Sequence, residues 1–505
     1  MSRPGTILNA PHLHVRPQSV VTWAGAEWAL GEVDGVTQLI ISVTATAHGL
    51  LPGFDGTRSE HEGRPLLLGP LSAGNAAALR TCLPWLAPRP LGLCTSFGFG
   101  DRLGLATPGH VRALRAVGGA ISPVFAQQSA RELTRTGRSA QDVLDAATWG
   151  AFGEGWTGPQ GADADHLKTT ADIDAYLAAG FTMFTIDPGD HVGHAAPDMT
   201  PAALREAFDD LPWAALEDSP SALRFRFAGR NFDIEGRAIS LGEEALLRAA
   251  VKYGRAIAHV TAMYRHLTAS AGARPVELEV SVDETESPTT HAEHVFIAAE
   301  LARLGVKWTS LAPRLCGRFE KGVDYIGDTA AFEADWTVHA AIARQLGPYK
   351  LSLHSASDKF SIYDAVARHA RGVVHVKTAG TSWLEALRTI AAAYPALFRE
   401  IYDLARLRYD NDRLSYHVSA RIDLAPDPAG LTDTQLPGLL DDFHARQVLH
   451  VTFGSILTAT GATGRNRFAG RLMADLRAHA DAYAANLERH FVRHLRPFAG
   501  AAPGA

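Results

Sequence analysis

Residues 349–382, YKLSLHSASDKFSIYDAVARHARGVVHVKTAGTS, pass through one pattern almost twice: a short apolar segment, a polar loop, a helix, then a second apolar segment. Apolar runs this short, bounded by Gly, Ser and Asp, read as strands, and strands alternating with helices imply a parallel sheet. The same rhythm extends back to Leu91. LGLCTSFGFGD precedes the helical PGHVRALRAVGG, ISPVFAQQSARE precedes SAQDVLDAATWGAF, and TGPQGADADHLKT precedes TADIDAYLAAG. FTMFTIDPGDH, a longer helical insertion, VELEVSVDETE and VKWTSLAPRL complete the series. Eight such units between Leu91 and Ser382 predict an α/β fold, a closed (β/α)8 barrel of TIM type with additions at both ends.

An open doubly wound sheet is the alternative. GFGDRLG supplies Gly98, Gly100 and Gly104, but it is one residue too long for the dinucleotide fingerprint and no acidic residue follows in the right place. The barrel is the better reading. Residues 1–90 are expected to form an N-terminal cap with one strand-like run, GVTQLIISV. Residues 91–400 would be the barrel, and 401–505 an extension packed on it. A long helix, EALRTIAAAYPALFREIYDLARLR, leads into the extension, which holds two strand-like segments, LSYHVSA and VLHVTFGSI, and a frayed end, PFAGAAPGA.

Composition narrows the function classes. The 505 residues carry 48 Lys and Arg against 54 Asp and Glu, a net charge of −6, with 46% hydrophobic residues. That acidity disfavours nucleic acid and anionic membranes as partners. No stretch has the length and apolarity of a membrane span, and the first residues lack the pattern of a secretory signal. Cys82, Cys94 and Cys316 form no CxxC pair, so a reducing cytoplasm is the expected compartment.

Barrel chemistry sits at the carboxyl ends of the strands. Those positions hold Asp165, His166 and Lys168, then Asp187, Asp190 and His191, then Asp283, Glu284 and Glu286. Arg314 follows, then His354, Ser355, Ser357, Asp358 and Lys359, and finally His375 and Lys377. Imidazoles from separate strands together with carboxylates make a divalent-metal site, and Zn, Mn, Ni and Co are not distinguished by this set. His417 and His450 rank below His166, His354 and His375 because they lie outside the eight units. His291 and His294 open a helix and read as a solvated first turn. Alternation places Glu277, Glu279, Ser281 and Asp283 on one strand face, either lining the interior or marking an exposed strand start. Arg314, Lys359, Lys377, Ser355 and Ser357 suit an anionic, hydroxyl-rich small molecule, with ion pairing to the rim's own acids as the competing explanation. TATGATGRNRF, residues 458–468, reads as a loop.

ADHLKT, TIDPGDHV, VDETESPTT, SLAPRLCGRFEKGVDYIGD, GPYKLSLHSASDKFSIY, HVKTAGTSWLEALR and HVTFGS occur in that order from Asp163 to Ser455. Together they resemble the tagaturonate epimerase family, whose members interconvert tagaturonate and fructuronate and are similar to enzymes that epimerise tagatose and fructose. Ala356 departs from the glycine of the family's Ser-Gly-Ser loop. The resemblance implies a divalent-metal-dependent epimerase acting on a ketose or keto-uronate. It implies Asp165 as proton acceptor, His166, His354 and His375 as metal ligands, and a carboxyl of Asp283 or Glu284, with Glu284 preferred, as proton donor. Arg314, Ser355, Ser357, Asp358, Lys359 and Lys377 are the expected substrate-binding residues, and assembly into a homo-oligomer is left open.

Counting from the end that makes the ketone C2, the inverted carbon is C4. It is β to the ketone and carries no acidic hydrogen, so proton abstraction cannot invert it. Transient oxidation or retro-aldol cleavage of C3–C4 remain, and the missing dinucleotide fingerprint disfavours the first. A TIM-barrel hydrolase with paired carboxylates and a non-catalytic sugar-acid sensor are the rival classes.

Overall fold

The computed structural model describes Ile7, residues 13–461 and residues 464–500. The terminal residues 501–505 of the expected frayed end, and residues 462–463 of the expected loop, lie outside the described residues.

All eight expected strands form and close. They are β7 (Ser96–Gly100), β8 (Ser122–Ser129), β9 (Gly161–Leu167), β10 (Met183–Ile186), β13 (Glu277–Ser281), β14 (Ser310–Ala312), β15 (Lys350–Leu353) and β16 (Val374–Thr378). Every neighbouring pair is parallel, and β16 closes on β7 with His375 opposite Ser96 and Lys377 opposite Gly98. Local chemistry sets where the helices begin. Ser139, Thr169 and Thr290 each cap a helix in a reciprocal box with Asp142, Asp172 and Glu293.

The N-terminal region is richer than the single strand expected there. β1 (His14–Val15), β2 (Val21–Trp23), β3 (Ala26–Val33), β4 (Val36–Val43), β5 (Thr57–His61) and β6 (Arg64–Gly69) build a six-stranded antiparallel sheet. The insertion after β10 also holds a hairpin of β11 (Arg230–Ile234) and β12 (Arg237–Leu241) before the helix Glu243–Ala271.

Beyond the barrel three expectations are corrected. The long helix is two, Thr381–Ala393 and Pro395–Asp412, because Pro395 lacks the N–H to continue the first and suits the opening turn of the second. VLHVTFGSI is not a strand: it lies in the helices Phe443–Val451 and Phe453–Thr458, where its apolar residues are buried. Short apolar runs do not separate buried helix from strand by periodicity. LSYHVSA forms no strand either; it leaves a short 3-10 turn as irregular chain. The helix Ala480–Leu495 returns against the helices Thr107–Val117 and Thr381–Ala393.

Candidate active site

The barrel interior is ionic at its upper levels. Lys377 Nζ lies 2.7 Å from Asp163, 2.8 Å from Asp165 and 2.7 Å from Glu279, and it donates to the Thr185 hydroxyl at 2.7 Å. All five side chains are buried. Burial pushes the Asp163 carboxyl up to about 6 despite Lys377. Burial also opposes ionisation of Glu279, but Lys377 together with the His375 and His354 imidazoles outweighs it and holds that carboxyl at about 2. The exposed-start alternative for Glu277 and Glu279 is therefore overturned. Glu279 belongs to this interior cluster, and Glu277 accepts from the amides of Leu91 and Gly92 at the barrel floor.

Above the lysine, Asp165 and His166 stand side by side. Neighbours on a regular strand point to opposite faces. Both residues nevertheless lie in β9, whose register breaks here. β9 slips against β10 between Ala164 and Leu167, and His166 takes a left-handed φ of 49°. A non-glycine residue held there is strained by about 1–3 kcal/mol, which the surrounding contacts must offset.

His166 stacks on His354 with ring centroids 4.2 Å apart. His354 Nε2 is 2.9 Å from Asp165 Oδ1, while its Nδ1 is 2.9 Å from Ser281 Oγ and 3.2 Å from Asp283 Oδ1. Burial alone would lower the His354 pKa, but Asp283 and Asp165 push it up to about 10. Burial works against the Asp165 charge, yet Lys377 and the two imidazoles hold its carboxyl well below the usual range. His166 Nδ1 lies 3.3 Å from Asp187, and its Nε2 lies 3.9 Å from Glu284. Donor atoms of Asp165, His166 and His354 all fall within 4.8 Å of one another, as do those of His166, Asp187 and Glu284.

This cluster borders a pocket of about 370 Å3 whose lining includes Asp283, Glu284, Arg314, Arg318, Lys321, His354 and Ser355, and also Tyr416 and His417. A narrower recess of about 30 Å3 beside it is lined by Arg102, Gln127, Arg131, Asp165, His166 and Lys321. Lys321 donates to Ser355 at 3.0 Å, and Arg131 lies 3.5 Å from Glu284. Glu284 keeps 33% of its side chain exposed, so it faces the pocket.

Asp165, His166, His354, Asp283, Glu284, Arg314 and Ser355 are thus brought together. The other expected residues are not. His375 sits deeper, its Nδ1 2.8 Å from Ser96 Oγ, and is not among the converging donors. Lys377 neutralises carboxylates beneath the site instead of facing the pocket. Ser357, Asp358 and Lys359 turn away because their loop is tied from behind. Lys359 donates to the carbonyls of Glu320, Val323 and Ser357, and Asp358 pairs with Arg446 and His490. His294, expected in a solvated turn, is fully buried.

Arg131, Arg318 and Lys321 went unmarked in the sequence. Arg131 follows β8 at the rim, where the strand-end rule alone would have found it. Lys321 lies in the long loop after β14, which that rule does not reach.

A family model described as tagaturonate epimerase matches residues 31–498. A tagaturonate/fructuronate epimerase of Thermotoga maritima is 44% identical over 421 residues, covering 83% of this chain and 84% of its own. The crystallised fructuronate-tagaturonate epimerase of Cohnella laeviribosi is 36% identical. Its native form superposes with a TM-score of 0.90 over 97% of both chains, and a form with two glycerols with 0.91 over 98%.

Proposed function

Because the chain belongs to the tagaturonate epimerase family, and so to the isomerases, we propose that it interconverts tagaturonate and fructuronate by inverting C4 in 2-ketose numbering. The observation that carries this reading is the pairing of an Asp165–His166–His354 donor group with a pocket walled by Arg314, Arg318 and Lys321. Three carboxylates surround one ammonium beneath that group, and Asp283 adds a fourth beside His354. Two imidazoles and a carboxylate within such an excess of negative charge fit a divalent cation. Asp165, His166 and His354 would hold it. A bound divalent ion would supply Lewis acidity toward the ketone and its neighbouring hydroxyl.

The chain's own groups do the rest. Glu284 takes the C4 hydroxyl proton as the C3–C4 bond breaks, leaving an enediolate on C1–C3 and an aldehyde at C4. The aldehyde fragment keeps its carboxylate against Arg314, Arg318 and Lys321, which retain it while the C4 carbonyl turns its other face. C3–C4 then re-forms, and Glu284 returns the proton to the C4 oxygen. Asp165 acts as a ligand in this reading, because its Oδ1 faces His354 and Lys377 and only its Oδ2 is turned toward Gln127, at 3.4 Å. Tagatose and fructose, which lack the carboxylate, would be weaker substrates of the same site.

The test is an assay of tagaturonate in D2O with metal-stripped and metal-restored protein. Activity that chelation abolishes and a divalent ion restores, with no deuterium at C4 of the product, is expected. Full turnover without metal would sink the Lewis-acid part, and deuterium at C4 would sink the bond cleavage. Asp165→Asn that keeps its metal but loses turnover would return Asp165 to the proton-acceptor role implied by the family resemblance.

A further inference from the structure

A second group of donors stands away from the barrel mouth, where the loop after β14 meets two helices. His291 opens the helix His291–Arg303, while Asp335 and His339 lie one turn apart on the helix Thr329–Leu346. His291 Nε2 is 3.0 Å from Asp335 Oδ1, and His339 Nε2 is 3.6 Å from the same oxygen. The three donor atoms lie within 4.8 Å of one another. His339 is fully buried, yet its Nε2 has no hydrogen-bond partner. Asp335 Oδ2 accepts from the Cys316 amide at 3.3 Å, and the free Cys316 thiol lies beside the same carboxylate.

A hydrogen-bond chain runs behind this group. His339 Nδ1 meets His294 Nδ1 at 2.8 Å, and His294 Nε2 meets the Tyr349 hydroxyl at 2.8 Å. When His294 donates to Tyr349, it accepts from His339 Nδ1–H, and His339 Nε2 carries a lone pair that faces the Asp335 carboxylate. When Tyr349 donates instead, His339 Nε2 carries a proton, which a bound cation would displace. An imidazole whose second nitrogen donates to a fixed partner is the usual backing of a metal ligand. Tetrahedral ligation at about 2.0–2.2 Å puts donors roughly 3.3–3.6 Å apart, against 3.0 and 3.6 Å from Asp335 to the two imidazoles here.

We propose that His291, Asp335 and His339 bind a further divalent ion of the zinc class. The nitrogen and oxygen set suits such an ion. Cys316 lies in the same loop as Arg318 and Lys321, so the ion ties that wall of the pocket to two helices. The superficially similar group of Asp358, His490 and His494 does not qualify, because Arg446 already occupies Asp358 at 2.8 Å.

The experiment is anomalous diffraction and metal counting on full-length protein stripped with chelator and reloaded with Zn2+. The expected result is an anomalous peak between His291, Asp335 and His339, in addition to any at the barrel mouth. His291→Ala should lose one zinc per chain together with this peak, and Asp335→Asn should do the same if the first variant folds poorly. The double variant His166→Ala with His354→Ala should keep the peak. Zinc at the barrel mouth but none here in the wild type would overturn the inference. Zinc here and none at the mouth would uphold it while sinking the metal reading of the mouth.

Discussion

Two regions of this molecule bury an aspartate against histidines, and they do opposite things with the charge. At the barrel mouth, Asp165 shares Lys377 with two other carboxylates and faces an open pocket. Asp358 is the contrast: its Oδ2 accepts from Arg446 at 2.8 Å, its Oδ1 is 2.5 Å from His490, and its amide donates to His494 at 3.0 Å. Each region holds a non-glycine residue in the left-handed region, His166 with φ 49° and Asp358 with φ 62°. At Asp358 the strain is locked by partners from the helices Phe443–Val451 and Ala480–Leu495, and every charge is answered. At His166 it aims a second side chain into a cluster still short of positive charge. A closed group of this kind is a structural joint, whereas the unbalanced one beside the pocket is where the proposed ion and substrate would bind.

Breaking the mouth should have the largest effect on activity and little on folding. His354→Ala is expected to lose the bound ion and reduce epimerisation to background, with the thermal transition near that of the wild type; retained metal and turnover would remove His354 from the site. Glu284→Gln should keep the ion while kcat falls roughly 10²–10⁴-fold, the range for a positioned acid or base. An unchanged kcat would move the proton-handling role to another residue.

Breaking the joint should reverse the balance. Asp358→Ala leaves Arg446 and His490 buried without their carboxylate, and loss of one partner from a buried pair costs about 3–5 kcal/mol. Denaturant unfolding should report that loss, and a midpoint like the wild type's would show the joint to be unimportant. Lys321→Met sharpens the contrast at smaller scale. Loss of a charge-assisted hydrogen bond, about 1.5–3 kcal/mol, should raise KM for tagaturonate at least tenfold and leave KM for tagatose nearly unchanged. Equal changes for both substrates would take Lys321 off the carboxylate.

The smallest effect concerns acid. Burial disfavours the Asp358 charge, but Arg446, His490 and His494 outweigh it and hold the carboxyl well below its usual range. A depressed folded pKa gives stability that is complete above the unfolded value of about 3.9 and is lost as pH falls below it. Asp358→Asn should therefore show a shallower loss of stability than the wild type on acidification below about pH 4. Parallel acid profiles would mean that Asp358 titrates alike folded and unfolded.

The sequence by itself determined the barrel and much of its rim. Eight alternating units survive as eight parallel strands, because apolar runs bounded by turn residues and capped helices are local properties. That Asp165, His166, Asp283, Glu284, Arg314, His354 and Ser355 would lie together was legible because strand ends in a barrel share one face. Only the tertiary structure decided how those residues divide. Period-2 alternation says which face a side chain takes while the strand stays regular, so the bulge that brings Asp165 and His166 together was beyond it. The partners of a charge are set by chain distant in sequence. Arg446 and His490 claim Asp358 and turn Ser357 and Lys359 from the pocket, Lys377 is absorbed by Asp163 and Glu279, and Lys321 arrives from a long loop whose path no local pattern encodes.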